Sequence, residues 1–189
     1  MSDRFHPEKD NVAFVIIDFQ DNLVAAMEKT VQKKVSRNIG LLISLAKVMH
    51  IPIIITEQYP KGLGKTTSKL VEELGDLYQP IEKLVFNCYA HPSFAERIKN
   101  LGVKHIVLTG TETHVCVLQT ALDLLADGYE VSVVSDAACS RYKSDEEAGL
   151  RLLQQAGGVV TSTEIITFQL LKQSGTDEFK FMSPLLKQR

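Results

Sequence analysis

Tryptophan is absent, cysteine occurs three times, and no apolar stretch exceeds the six residues 12–17. A helix crossing a bilayer needs about 20 successive apolar residues, so no membrane span is expected. Residues 1–10 lack the basic-then-apolar order of a secretory signal, so a cytoplasmic chain is expected. The thiols Cys88, Cys116 and Cys139 are odd in number and lack C-x-x-C spacing, which favours free thiols in a reducing compartment over a disulfide framework. Charge is balanced: 21 Lys+Arg against 23 Asp+Glu give −2, with no block of one sign. That argues against nucleic-acid and membrane-surface partners and leaves a small molecule. No two of His6, His50, His91, His105 and His114 have zinc-ligand spacing, so no metal is expected. No G-x-G-x-x-G turn follows the first apolar run, which argues against a dinucleotide, and no organic cofactor is expected.

What is present fits one globular domain, residues 1–189, with 44% apolar and 23% charged residues. Apolar, β-rich runs fall at 12–17, 51–56, about 80–83, 105–109, 130–135 and 158–161; several are apolar at consecutive positions, as in strands covered on both faces. Between them lie helically spaced stripes: Ile39, Leu42, Ile43, Ala46 and Met49; Phe94, Ile98 and Leu101; Val115, Leu118, Ala121, Leu122 and Leu125; Ala148, Leu152, Leu153 and Ala156. Pro92 suits a first helical turn, Gly102, Gly128 and Gly157 suit C-caps, and Ser144-x-x-Glu147 and Thr161-x-x-Glu164 have capping-box spacing. The loop 59–69 has the length of a binding loop. The tail, about 174–189, carries Phe179, Phe181, Leu185 and Leu186 and is expected to dock on this chain or on another subunit of a homo-oligomer. The alternation predicts an α/β fold: three layers, α/β/α, around a six-stranded, mostly parallel, doubly wound sheet of order 3-2-1-4-5-6.

Ligands of such sheets sit at the carboxyl ends of the strands, near the point where strand order reverses. Run one ends in Asp18-Phe19-Gln20-Asp21, run three carries Lys83 ahead of Phe86-Asn87-Cys88, and run four ends in Thr109-Gly110-Thr111-Glu112-Thr113-His114-Val115-Cys116. A cysteine in a first helical turn, with a lysine nearby, is expected to have its pKa lowered to roughly 3.5–7.5. The unpaired N–H groups of that turn can also hold an oxyanion.

The segments Val15-Ile-Ile-Asp18-Phe-Gln20, Glu82-Lys83, Thr109-Gly-Thr-Glu-Thr-His-Val-Cys116-Val and Asp136-Ala-Ala-Cys-Ser-Arg141 resemble the isochorismatase-like cysteine hydrolase family from about residue 11 to residue 172. The resemblance implies the doubly wound fold, an Asp18–Lys83–Cys116 triad, a non-proline cis peptide between Thr111 and Glu112, and homo-oligomers. Nicotinamidase-type members carry an Asp-x-His metal pair after strand two, whereas this chain has Thr56-Glu57-Gln58-Tyr59-Pro60. True isochorismatases generally place glycine at the nucleophile position, where this chain has Cys116. The Glu57–Gly64 loop resembles the isochorismatase domain-containing branch.

The expectation is a cysteine-dependent hydrolase of a small amide-like or related substrate, working through a thioester, with C–N bonds favoured over vinyl ethers. Asp18, Lys83 and Cys116 are the catalytic set; Thr111 and Glu112 belong to the oxyanion turn, and Gln20, Glu57, Tyr59 and Phe86 are pocket walls. Each has a plainer reading: Cys116 as a core thiol, Asp18 as a helix cap, Lys83 as a solvated strand-end charge. Cys88 reads as a half-buried structural thiol, Cys139 as core, and His114 as a surface or turn residue. A non-catalytic binding or scaffold protein with the same fold is the alternative.

Overall fold

The structure, a computed structural model, describes residues 3–188; residues 1, 2 and 189 of the expected domain lie outside the described residues. Short 3-10 turns at Asp3–Phe5 and Lys9–Asn11 lead into β1 (Val12–Ile17), followed by α1 (Asp21–Ala25), α2 (Lys29–Met49), β2 (Ile53–Gln58), α3 (Pro60–Leu63) and α4 (Ser68–Leu74). Beyond a third 3-10 turn, Gly75–Leu77, come β3 (Pro80–Lys83), a fourth, Cys88–Ala90, and α5 (Pro92–Leu101). β4 (His105–Thr111) runs through a π-helical turn, Thr113–Val117, into α6 (Leu118–Ala126). The chain closes with β5 (Glu130–Cys139), α7 (Lys143–Gln155), β6 (Val159–Thr161), α8 (Thr163–Leu171) and α9 (Asp177–Lys187).

All six strands pair in parallel in the order β3-β2-β1-β4-β5-β6. The winding reverses between β1 and β4, which opens the crevice where parallel sheets bind ligands. β1 is buried at every position because both sheet faces are covered. Val12, Phe14 and Ile16 pack with Ile39 and Leu42 of α2, Ile166 of α8 and Met182 of α9. Ala13, Val15 and Ile17 pack with Phe94 and Ile98 of α5, Ala121 and Leu124 of α6 and Leu153 of α7. This two-residue alternation assigns each later polar side chain to one face or the other.

One glycine has a steric role at the crevice. Gly110 has φ 104° and lies opposite Ile17; a Cβ there would meet the Ile17 carbonyl oxygen at 2.0 Å. The absence of a side chain lets β1 and β4 stay paired at the point where both deliver site residues.

Several boundaries differ from the sequence reading. β2 is shifted two residues later, and β4 and β5 run on to Thr111 and Cys139. The loop 59–69 contains α3 and the start of α4, whose buried stripe is only Leu70 and Leu74, too short to show a period. Ser162 caps α8 by accepting from Ile165 N at 3.3 Å, while Thr161 is still strand, and Tyr142 rather than Ser144 precedes α7. The tail docks on its own chain: α9 seats Met182 in the core against α2, with Phe179 and Leu185 partly buried beside it and Phe181 exposed. Among the described residues no helix is long and apolar enough to cross a membrane.

Candidate active site

Asp18 follows β1 in the left-handed region, φ 48°. Continued alternation would send its side chain toward α2 with Phe14 and Ile16; the left-handed residue breaks that sequence. Its N–H donates to Thr56 O at 3.1 Å, and its carbonyl accepts from Thr111 Oγ1 at 2.7 Å. The carboxylate is held at both oxygens: Thr56 Oγ1 donates to Oδ1 and Lys83 Nζ to Oδ2, each at 2.7 Å.

Lys83 ends β3, in register with Gln58 of β2. Its ammonium also donates to Gln58 Oε1 at 2.8 Å and faces the carbonyls of Val85 and Phe86 at 3.2 and 3.3 Å. The loop turns carbonyl oxygens inward while Leu84 and Phe86 stay exposed. Both members of the Lys83–Asp18 pair have 0% side-chain exposure. Burying two charges is costly and is tolerated only with partners on every side. Burial works against the charge on Lys83, but the acidic groups around it, Cys88, Asp18 and Cys116, outweigh that and push its pKa up.

Cys116 lies in the π-helical turn between β4 and α6, with 6% of its surface exposed. Burial pushes its thiol pKa up, the Asp18 carboxylate pushes it further, and Lys83 pulls the other way without prevailing. The expected lowering is therefore reversed. The sequence put the cysteine, the lysine and the carboxylate together but did not reveal that the turn is closed off, so that burial and the carboxylate outweigh the lysine at the sulfur. In the resting site Lys83 carries its charge and Cys116 holds its proton.

Around the sulfur, the Thr111–Glu112 peptide is cis. The Glu112 carbonyl accepts from Val115 N and Val117 N at 3.0 and 3.3 Å, and its carboxylate accepts from Arg141 N and Nε, both at 3.0 Å. Thr111 and Glu112 thus shape the turn on which Cys116 sits. Gln20 spends its whole amide on backbone: Oε1 accepts from Gln58 N at 2.6 Å, and Nε2 donates to Gln58 O at 3.0 Å and Gly64 O at 2.5 Å. It is wholly buried and ties the loop at Gly64 to the end of β2.

Glu57 is a correction. It lies inside β2 rather than in the loop after it, so alternation turns it to the α2 face with Ile55. There it accepts from Thr66 N, Thr66 Oγ1 and Tyr78 OH at 2.7–2.8 Å, an anchor for the following loop rather than a pocket wall. Tyr59 and Phe86 stand at the surface, 49% and 55% exposed, in the loops that follow β2 and β3. Tyr59 is tied down by its N–H to Lys83 O at 2.9 Å.

Thr56 and Gln58 were not singled out from sequence, although each contacts one member of the buried pair. The signal was present as a polar Thr-Glu-Gln ending on an otherwise apolar strand. Cys88 is wholly buried rather than half-buried, with Sγ 3.7 Å from Thr56 Oγ1. Cys139 is core, and burial pushes its pKa up to about 12. His114 turns toward Ser140, Nδ1 to Oγ 2.9 Å, and not toward the sulfur's partners. Among the described residues no group of three or more His, Cys, Asp or Glu side chains could hold a metal ion.

With this geometry in hand, comparison with known proteins is specific. Residues 12–165 match the isochorismatase domain. Isochorismatase family protein 1A of Dictyostelium discoideum is 40% identical over 151 residues, 78% of this chain and 73% of that protein. The solved structure of a MAR1 ribonuclease from Caenorhabditis elegans superposes with a TM-score of 0.88 at 34% identity, covering 96% of this chain and 92% of that one. The YcaC gene product of Escherichia coli, described as an octameric hydrolase of unknown specificity, shares the fold with a TM-score of 0.88 at 24% identity, covering 96% and 89% of the two chains. The domain match, which spans both sides of the crevice from β1 to α8, and the close identity to the Dictyostelium protein establish that this chain belongs to the isochorismatase family.

Proposed function

We propose that the chain is a cysteine hydrolase of a small amide-like or related carbonyl compound, with Cys116 as nucleophile, Asp18 as general acid and base, and Lys83 as the cation paired with Asp18. The observation that carries this reading is the wholly buried Asp18–Lys83 pair set beside Cys116. A pair used only for stability would be exchangeable for apolar residues of like volume, often without loss.

Because the resting thiol is protonated, its deprotonation is coupled to attack. Asp18 takes the Cys116 proton as sulfur bonds to the carbonyl carbon, and the carbonyl electron pair moves onto oxygen. Backbone N–H groups of the turn around Glu112 and Cys116 stabilise that oxyanion; one such donor contributes about 2.7–4 kcal/mol in a comparable site. The oxyanion collapses, the C–N bond breaks, and protonated Asp18 gives its proton to the departing nitrogen. Water then attacks the thioester while Asp18 accepts its proton, and that proton returns to sulfur as the acid leaves. The same thiol gives no advantage for cleaving a vinyl ether, which has no acyl carbon to trap, so the C–N bond is the favoured target. Three free thiols fit a reducing, cytoplasmic setting, and the octamer described for the E. coli protein supports a homo-oligomer here.

The test is a panel of small amides incubated with the protein and quenched in acid, followed by mass spectrometry of the Cys116 peptide. An acyl adduct on Cys116, and loss of turnover in Cys116→Ala, are the expected results. Full turnover of a verified substrate by Cys116→Ala overturns the covalent mechanism, and binding without an adduct or turnover across the panel favours the non-catalytic alternative. An RNA substrate in the same panel tests the activity named for the C. elegans protein.

A further inference from the structure

Resting on that reading, we propose that Thr56 and Cys88 form a two-step hydrogen-bond relay that orients the Asp18 carboxylate, making both of them positioning residues for the proton transfer.

The direction of the relay follows from donor inventory. An ionised carboxylate can only accept, so the 2.7 Å contact between Thr56 Oγ1 and Asp18 Oδ1 spends the single hydroxyl proton of Thr56 on Asp18. The Thr56 oxygen then faces Cys88 Sγ, 3.7 Å away, as an acceptor only, which makes the thiol the donor. Cys88 keeps the proton this requires: burial pushes its pKa up to about 11, with Lys83 opposing. The far end is anchored too, because Cys88 N donates to Thr120 Oγ1 of α6 at 2.9 Å. The near end is held by the backbone bond from Asp18 N to Thr56 O. The relay thus runs from α6, which continues the Cys116 turn, across β2 to the base after β1. It leaves Lys83 on Oδ2 and fixes Oδ1, so the carboxylate cannot rotate away from the sulfur. The charged or titratable groups facing Asp18 are Lys83 from β3, Cys88 from the 3-10 turn and Cys116 from the π-helical turn.

The experiment needs no natural substrate. The rate at which acrylamide modifies Cys116 is measured by mass spectrometry of the intact protein and its peptides from pH 4.5 to 9, for the unsubstituted chain, Thr56→Val, Thr56→Ser, Cys88→Ala and Asp18→Asn. Removing a hydrogen bond to the charged form of the base makes that form easier to protonate, so Thr56→Val moves the acid limb of the profile to higher pH by about one unit, about a tenfold slower rate on that limb. Thr56→Ser, which keeps the hydroxyl, restores the limb, and Cys88→Ala moves it in the same direction by a smaller amount. A Thr56→Val profile that overlays the unsubstituted one overturns the relay, as does a Thr56→Ser shift as large as that of Thr56→Val, which would assign the effect to packing. Asp18→Asn separates the two claims. If it removes the acid limb while Thr56→Val leaves the limb in place, only the relay fails; if it leaves the limb in place, the assignment of Asp18 as base fails as well.

Discussion

Two carboxylate–cation pairs brace the carboxyl edge of the sheet, and they are built in opposite ways. Asp18–Lys83 has no exposed side-chain surface and is wrapped by Thr56, Gln58 and inward-turned carbonyls. Glu112–Arg141 joins a buried carboxylate to a guanidinium whose side chain is 53% exposed. The first pair pays a full desolvation cost on both charges, and the second on little more than one. A fold that needed only to fasten its loops would use the second kind twice. The contrast supports assigning the proposed chemistry to the first pair and bracing of the turn to the second.

The largest effect expected follows from breaking the buried pair on one side. Asp18→Asn leaves the Lys83 ammonium without its counter-charge, and a broken buried pair typically costs about 3–5 kcal/mol. Urea unfolding reads this loss. In parallel, removal of the proposed general base is expected to slow turnover of an identified substrate by roughly 10²–10⁴-fold. The comparison sharpens with Lys83→Met and the double variant Asp18→Asn/Lys83→Met: the double variant is expected to be more stable than either single one, yet inactive. If stability losses simply add, the two side chains are not acting as a pair, and the contrast with Glu112–Arg141 collapses.

The next effect is one of pH. Cys88 lies against the buried pair, and burial raises its pKa from 9.0 to about 11. A group with a raised folded-state pKa contributes fully below its unfolded value, and that contribution is lost as pH climbs through the folded value. Between pH 9 and about 11 the unfolded chain has released the Cys88 proton while the folded chain retains it, so stability falls across that window. Urea midpoints at pH 7.5, 9 and 10.5 check this, and Cys88→Ala is expected to flatten the fall. An equally steep fall in Cys88→Ala would assign it to other groups, Cys116 and Cys139 first.

The same two pairs mark where the sequence could be read and where it could not. Strand positions were legible because two covered faces demand unbroken apolar runs, as in residues 12–17. The meeting of Asp18 and Cys116 was legible because parallel order brings strand ends together, and Lys83 joined them through the family resemblance. Their electrostatics were not. Whether Cys116 is a thiol or a thiolate depends on a few ångströms of burial and on which neighbour is nearer, and no spacing encodes that. Glu57 was misplaced because a strand boundary drawn two residues early leaves a residue in a loop, where alternation no longer applies to it. Thr56 was passed over because a threonine near the end of a β-strand looks like ordinary β propensity; its hydroxyl gains a purpose only once the left-handed Asp18 turns back over the sheet. α9 was readable as an apolar set but not as a helix on α2, since its docking partner lies far away in sequence.

The smallest effect belongs to the exposed pair. Arg141→Ala removes the guanidinium contact to Glu112 but leaves the Arg141 backbone N–H, which donates to the same Oε1 at 3.0 Å. With the guanidinium largely in water, the loss of stability should stay within about 1 kcal/mol, the usual range for exposed pairs. The rate should respond more than the stability, because Glu112 opens the turn whose N–H groups are the proposed oxyanion donors. Loosening such a turn misplaces donors without unfolding anything, and a severalfold fall in turnover number with little change in KM is the expected signature. Glu112→Gln keeps an acceptor for the backbone N–H and should fall between Arg141→Ala and the unsubstituted chain. A stability loss from Arg141→Ala as large as that from Asp18→Asn would mean that exposure does not separate the two pairs, and that the turn, rather than the buried pair, holds this edge of the sheet together.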